Sequence, residues 1–150
     1  MDVNIKINAS DLSKLNKKLN KLRAFESQKV SNELGKTGLE IVRLAKRAAP
    51  VGKIHGGTLR QSISAQRSGK TVNVIAAAHY APYVEFGTGD DVDLDDMLRL
   101  GIPARYAKQF KGKTGRKVNL PARPFFFSSA RVGFQNLFNR LNGEIKKAIK

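Results

Sequence analysis

Cysteine is absent from the chain, so no disulfide, thiolate nucleophile or cysteine-ligated zinc site is open to it, and a reducing compartment suits it. Acids are scarce: 12 Asp and Glu stand against 28 Lys and Arg, and the two histidines are His55 and His79. General acid–base catalysis needs convergent groups of tuned pKa, which this inventory hardly supplies, so the expectation is a protein that is not an enzyme. His55 lies among glycines and reads as a solvated loop residue. Apolar runs are short, none approaching the roughly 20 residues that cross a bilayer. The opening Met1-Asp2-Val3-Asn4 lacks the basic-then-apolar pattern of a signal peptide, so a soluble compartment with no membrane contact is expected. Gly52, Gly56 and Gly57 run into Thr58-Leu59-Arg60 without the Lys-Ser/Thr pair of a phosphate-cradling loop. No cofactor and no long-period repeat is expected.

What is present is one domain's worth of sequence. With 150 residues, 41% hydrophobic and 27% charged, the expectation is a single globular domain over residues 1–150 with its own core. The net charge of +16 and pI near 10.4 suit a polyanion or an acidic protein surface. Non-specific binding of nucleic acid is therefore the alternative function, through Lys14 to Lys21, Lys108 to Lys117 and Lys146 to Lys150. Those basic residues are spread along the chain, and aromatics make up 7% of it, which speaks against specific recognition.

Val3, Ile5 and Ile7 alternate with polar residues and predict a short opening strand. Leu12, Leu15, Leu19 and Leu22 fall on one helical stripe after Ser10, with Lys14, Lys17, Lys18 and Lys21 toward water. The stripe spans less than two heptads, so it is expected to pack on its own domain and not in a coiled coil. A second helix is predicted from about Gln28 to Ala49, with Val30, Leu34, Ile41, Ala45 and Ala48 on one side and Pro50 ending it. Gly35 and Gly38 inside it suggest close approach of another backbone. Thr58–Gln66 and Thr71–Ala78 read as two strands joined at Ser68-Gly69-Lys70, a β-hairpin. The helical period returns in Phe127, Ala130, Phe134, Leu137, Leu141 and Ile145, which should supply much of the core. The fold class expected is α+β: a small, mainly antiparallel sheet of the first strand and the hairpin, with long helices packed on one face.

Between about residues 89 and 119 periodicity fails. Asp90, Asp91, Asp93, Asp95 and Asp96 precede Arg99, Arg105, Lys108, Lys111, Lys113, Arg116 and Lys117, and the prediction is a mobile, charge-segregated loop. Asp91, Asp93 and Asp95 resemble the start of a calcium loop, but Asp96 stands where its glycine belongs and Ile102 where its glutamate belongs, so no metal is expected. The cluster is either a solvated loop tip or an acidic surface that meets basic residues of a neighbouring subunit. Five of the twelve acids sit there, so the rest of the chain is more basic still, and identical copies would repel unless charge alternated across contacts.

Three stretches carry a resemblance. They are Ala49-Pro50-Val51 with Gly57-Thr58-Leu59-Arg60-Gln61-Ser62-Ile63, then Tyr80-Ala81-Pro82-Tyr83-Val84-Glu85-Phe86-Gly87-Thr88, then Pro121-Ala122-Arg123-Pro124-Phe125. Over roughly residues 25 to 150 they resemble the signature of the head-to-tail joining and tail-completion (minor tail component, gp10-like) proteins of tailed bacteriophages and prophages. The short acidic turn usual between the first Val and Gly is replaced here by Gly52-Lys53-Ile54-His55-Gly56. The resemblance implies a structural virion protein, a connector, tail-completion or tail-terminator subunit. It would act by ring-like self-assembly, with six-fold rings suggested by related proteins, at the head–tail junction, after assembly in the host cytoplasm. Its partners would be its own copies and other phage neck and tail proteins.

The motif residues that the resemblance singles out are Leu59, Arg60, Tyr80, Pro82, Tyr83, Glu85, Phe86, Gly87, Arg123, Pro124 and Phe125, an interface or a packed corner. The residues themselves make physical sense: Pro82 can open a helical turn and Gly87 close it, with Tyr80, Tyr83, Val84 and Phe86 supplying apolar surface. Glu85, flanked by apolar residues, would be costly to bury unpaired and is expected to find Arg60 or Arg123, tying the motifs together. The assembly loop is expected to comprise Asp90, Asp91, Asp93, Asp95, Asp96, Arg105, Lys108, Lys111 and Lys113, ordering on contact with neighbours.

Overall fold

The computed structural model describes residues 9–24, 29–52, 56–89, 92–111 and 120–149. The elements in order are α1 (Ala9–Ala24), α2 (Ser31–Ala48), α3 (Thr58–Gln61), β1 (Ile63–Ser68), β2 (Thr71–Ala76), α4 (Ala81–Phe86), α5 (Leu94–Arg99), α6 (Ala104–Ala107) and α7 (Phe127–Ile149). The class is α+β, long helices over a small antiparallel sheet. Among the described residues that sheet is the β1–β2 hairpin; the strand expected at Val3–Ile7 lies outside them.

α2 is the axis on which the rest is laid. Its buried residues Thr37, Gly38, Ile41 and Ala45 recur at helical spacing, and the helix packs against both hairpin strands on one flank and α7 on the other. Close approach depends on glycine on both sides. A Cβ on Gly38 would lie 2.4 Å from Val72 Cγ1, and one on Gly133 of α7 would lie 2.4 Å from Ile41 Cγ1. The hairpin pairs Ser68 with Thr71 across a two-residue turn, where Gly69 supplies the positive φ of 57° that such turns need. Thr58–Gln61, expected as strand, forms the short helix α3 instead. Gln61 and Ser62 donate to the Gly57 and Thr58 carbonyls, which local bonding satisfies before the sheet begins at Ile63.

Gly133 also explains a displaced core stripe. The periodicity of α7 places Phe134 inward, yet Phe134 is 60% exposed and Phe138 63% exposed, while Gly133 and Leu137 are buried against α2. Only the residue without a side chain fits the closest approach of the two helices, and this rotates Phe134 onto the flank. The leucine stripe of α1 is likewise less covered than expected. α1 packs against α7, but Leu12, Leu15 and Leu19 keep roughly half their surface in water.

Polar contacts complete the α2–α7 seam. Arg140 donates through Nε to Glu33 (2.8 Å), through Nη1 to Glu40 (3.0 Å) and through Nη2 to Thr37 Oγ1 (2.7 Å), and Asn136 donates to Glu40 (2.7 Å). The Glu33 carboxyl is held below its usual range by the hydrogen bond from Lys36, then Arg140, and that of Glu40 by Asn136, then Arg140; partial burial opposes both. Groups whose folded pKa is depressed contribute stability above their unfolded value and lose it as pH falls through the folded one. The urea midpoint is therefore expected to be flat near neutrality and to drop below about pH 4.5, the ordinary value for these groups. An Arg140→Met variant should show a shallower drop over the same range, read from midpoints at matched m.

Candidate assembly site

The first motif builds the base. Ala49 ends α2, Leu59 sits in α3 and Ile63 opens β1, and all three are buried in one cluster with Ala45, Ala81 and Phe125. That cluster draws on all three sequence motifs at once. Arg60 is exposed and its Nη2 donates to the Ala49 carbonyl at 3.4 Å, closing the loop between the two halves of the first motif.

The central motif forms α4. Pro82 lies in its first turn, where a missing N–H costs nothing, and Gly87 ends it at φ 72°, ψ −167°, with its N–H bonded to the Tyr83 carbonyl. The last motif runs across α4 as a strap. Thr88 N–H donates to Leu120 O (3.0 Å), Leu120 N–H to Thr88 Oγ1 (3.2 Å), and Arg123 N–H to Val84 O (2.8 Å). A Cβ on Gly87 would stand 2.5 Å from Leu120 O and 2.8 Å from Ala122 N, so this crossing too requires glycine.

Glu85 fastens the strap. It is 4% exposed, and its Oε2 accepts the N–H groups of Phe125 (2.7 Å) and Phe126 (2.8 Å) while Oε1 accepts that of Phe127 (3.0 Å). These amides stand at and just before the start of α7, whose first N–H groups have no partner within the helix. The carboxylate satisfies them and meets the positive end of the helix dipole. The expected arginine partner is thus replaced by backbone: Arg60 is engaged at Ala49 and the Arg123 side chain is exposed. A buried guanidinium would have carried a second desolvation cost and left the helix amides unsatisfied. Glu85 joins the central motif to the last one, and the first motif meets them through apolar packing.

Residues 92–111, expected as an irregular loop, fold into α5 and α6 around a small core of Val92, Met97, Ala107 and Phe110. Asp93 caps α5, its Oδ1 accepting the amides of Asp95 and Asp96 at 3.0 Å each. Phe110 carries this insertion onto the corner, its ring centroid 5.2 Å from Tyr83 and 5.6 Å from Phe86, and Phe86 in turn lies 5.7 Å from Phe127. Between hairpin, α4, insertion and the start of α7 a mainly apolar cleft of about 490 Å³ opens, its walls including Ile75, Ile102, Tyr106 and Phe126.

The sequence-predicted residues therefore divide. Leu59, Glu85, Gly87 and Phe125 are buried and hold the corner's shape, with Pro82 and Phe86 partly covered beside them; Tyr80 is partly covered and meets the His79 ring edge-on at 5.3 Å. Arg60, Tyr83, Arg123 and Pro124 face outward. Of the assembly loop, Asp93, Asp95, Asp96, Arg105, Lys108 and Lys111 are exposed on the insertion, while Asp90, Asp91 and Lys113 lie outside the described residues. The cleft residues Ile75, Ile102 and Tyr106 went unmarked; the signal was apolar residues recurring between charges, Met97, Leu100 and Ile102 before Ala107 and Phe110.

No curated protein and no solved structure matches the chain. The family model described as "Bacteriophage HK97-gp10, putative tail-component" matches residues 13–87, from within α1 to the glycine that ends α4, half of the sequence. The first motif and nearly all of the central one fall inside that match, and the chain belongs to the HK97-gp10-like family of bacteriophage tail components.

Proposed function

We propose that this tail component is a connector or tail-completion subunit that works by self-assembly into a ring at the head–tail junction, without a reaction to perform. The observation that carries the proposal is a fold whose family motifs are spent on building a rigid corner while large apolar side chains stay in water. Leu15, Phe134 and Phe138 are each more than half exposed and offer apolar surface to a partner. Charge limits how copies can meet. The chain is strongly basic, and the exposed Asp95 and Asp96 lie on a segment that also exposes Arg99, Arg105, Lys108 and Lys111, so copies would relieve their mutual repulsion only where contacts set acid against base. As a virion protein it would also meet other neck and tail proteins.

Basic charge on exposed Lys17, Lys18, Lys21, Lys146 and Lys147 favours a second reading, non-specific contact with DNA. The two separate by mass measurement of the purified chain across concentration, with and without mixed-sequence duplex. Self-assembly predicts species that grow with protein concentration in the absence of DNA, and any DNA affinity fading with salt regardless of sequence. A monomer at every concentration that cuts DNA or reads one sequence would overturn the proposal.

A further inference from the structure

We infer that the apolar cleft receives an extended segment of another protein, one in which apolar residues alternate and acids flank them, and that this segment adds to the outer edge of β2 as a third strand. The partner is a protein other than a second copy, an addition to the self-assembly proposed above and independent of it. The cleft touches Val74, Ile75 and Ala76 of β2 but no residue of β1 or α2, which places it along the edge of β2 that β1 leaves open. Among the described residues no other strand pairs there. Ser68 and Thr71 flank a two-residue turn and form a hydrogen-bonded pair, and in an antiparallel ladder such pairs alternate with pairs whose N–H and C=O groups point away. Thr71, Asn73 and Ile75 therefore bond to β1, a phase that the bond from Ala77 N–H to Ser62 O (3.1 Å) continues. Val72, Val74 and Ala76 turn their N–H and C=O groups outward, and among the described residues these groups have no hydrogen-bond partner.

Natural sheets blunt an open edge with charge or proline; β2, Thr-Val-Asn-Val-Ile-Ala, has neither, whereas β1 carries Arg67. Opposite that edge, Ile102, Tyr106 and Phe126 form apolar walls suited to the alternate side chains of an added strand. Open backbone groups select an extended chain over a helix, whose own groups are bonded internally. Charge selects an acidic one. Arg99 and Arg105 flank the wall from Leu100 to Tyr106, both are exposed, and neither has an ion pair among the described residues. Glu85, a carboxylate on the cleft wall, is already bonded to three amides, and Asp96 faces a separate pocket that it shares with Arg131. A second copy carries +16 overall, the same sign as this wall.

The probe is a synthetic peptide, Glu-Val-Thr-Val-Thr-Ile-Glu, capped at both ends and titrated into the isotope-labelled full chain. At saturation, hydrogen exchange at the Val72, Val74 and Ala76 amides is expected to slow by roughly tenfold or more, while the Thr71, Asn73 and Ile75 amides, already bonded to β1, change little. The same peptide with lysine at both ends should bind roughly tenfold more weakly, and so should the acidic peptide to a chain carrying Arg99→Glu with Arg105→Glu. Both arginines are exposed, so the reversed chain keeps its core, and the lysine-ended peptide should regain affinity for it. Absence of binding at about 1 mM acidic peptide would overturn the inference, as would binding that leaves the three outward amides unprotected. Protection of those amides in the peptide-free chain as its own concentration rises would give the cleft to a second copy and overturn it too. Alternate-amide protection by the peptide in a chain that stays monomeric at every concentration would sink the ring and leave this inference standing.

Discussion

Replacing Glu85 by alanine is expected to cost the fold about 3 kcal/mol, because one buried and two partly buried amides lose their acceptor at about 1 kcal/mol each. Glu85 reaches the Phe125, Phe126 and Phe127 amides together, and water has little access to so covered a carboxylate site. Glu85→Gln should fall between alanine and wild type: its amide oxygen can still accept from Phe125 and Phe126, but its NH2 would face the Phe127 N–H and the charge at the helix start is gone. Urea midpoints at unchanged m read both values. An alanine variant within about 0.5 kcal/mol of wild type, the range of ordinary surface changes, would mean the strap is held by something else.

Gly87→Ala is expected to cost a similar amount, about 3 kcal/mol, from two sources that add. The backbone at φ 72°, ψ −167° is open in practice to glycine alone, at about 1–3 kcal/mol for any other residue. The new methyl would also meet Leu120 O and Ala122 N, which are backbone atoms and cannot swing aside. Gly69→Ala is the control: its φ is also positive, at 57°, but nothing lies within 4 Å of its Cβ position, so only the conformational cost of about 1 kcal/mol applies. Because Gly87 and Glu85 fasten the same strap, the double variant should lose less than the sum of the two. Hydrogen exchange at Arg123 N–H, which donates to Val84 O, should quicken in both single variants and stay unchanged in Gly69→Ala.

Much of this architecture could be read from periodicity. α2, the hairpin and α7 lie close to their expected places because each has a long or regular apolar pattern and a clear punctuating residue, Pro50 after α2 and Gly69 in the turn. The failures have one physical origin, which is that patterns within a segment say nothing of what packs beside it. Phe134 and Gly133 are adjacent in sequence and about 100° apart around α7, and the nearness of Ile41 to Gly133 decides that glycine takes the seam. The insertion at 92–111 looked irregular because its helices are short and its core is made by residues far apart in sequence, Met97 with Phe110. The partner of Glu85 was sought among side chains, whereas the orphan amides of a helix start are a partner that composition cannot display. What was legible of the site was its membership, the three motifs; what was not was their division into buried braces and outward surface.

We propose that this braced corner belongs to a tail component that docks with copies of itself. Reconstruction of assembled particles by electron cryomicroscopy, at a resolution that traces helices, tests it most directly. The proposed function predicts this chain in a closed ring at the head–tail junction. Particles that are complete and infectious yet contain no copy of the chain would contradict it.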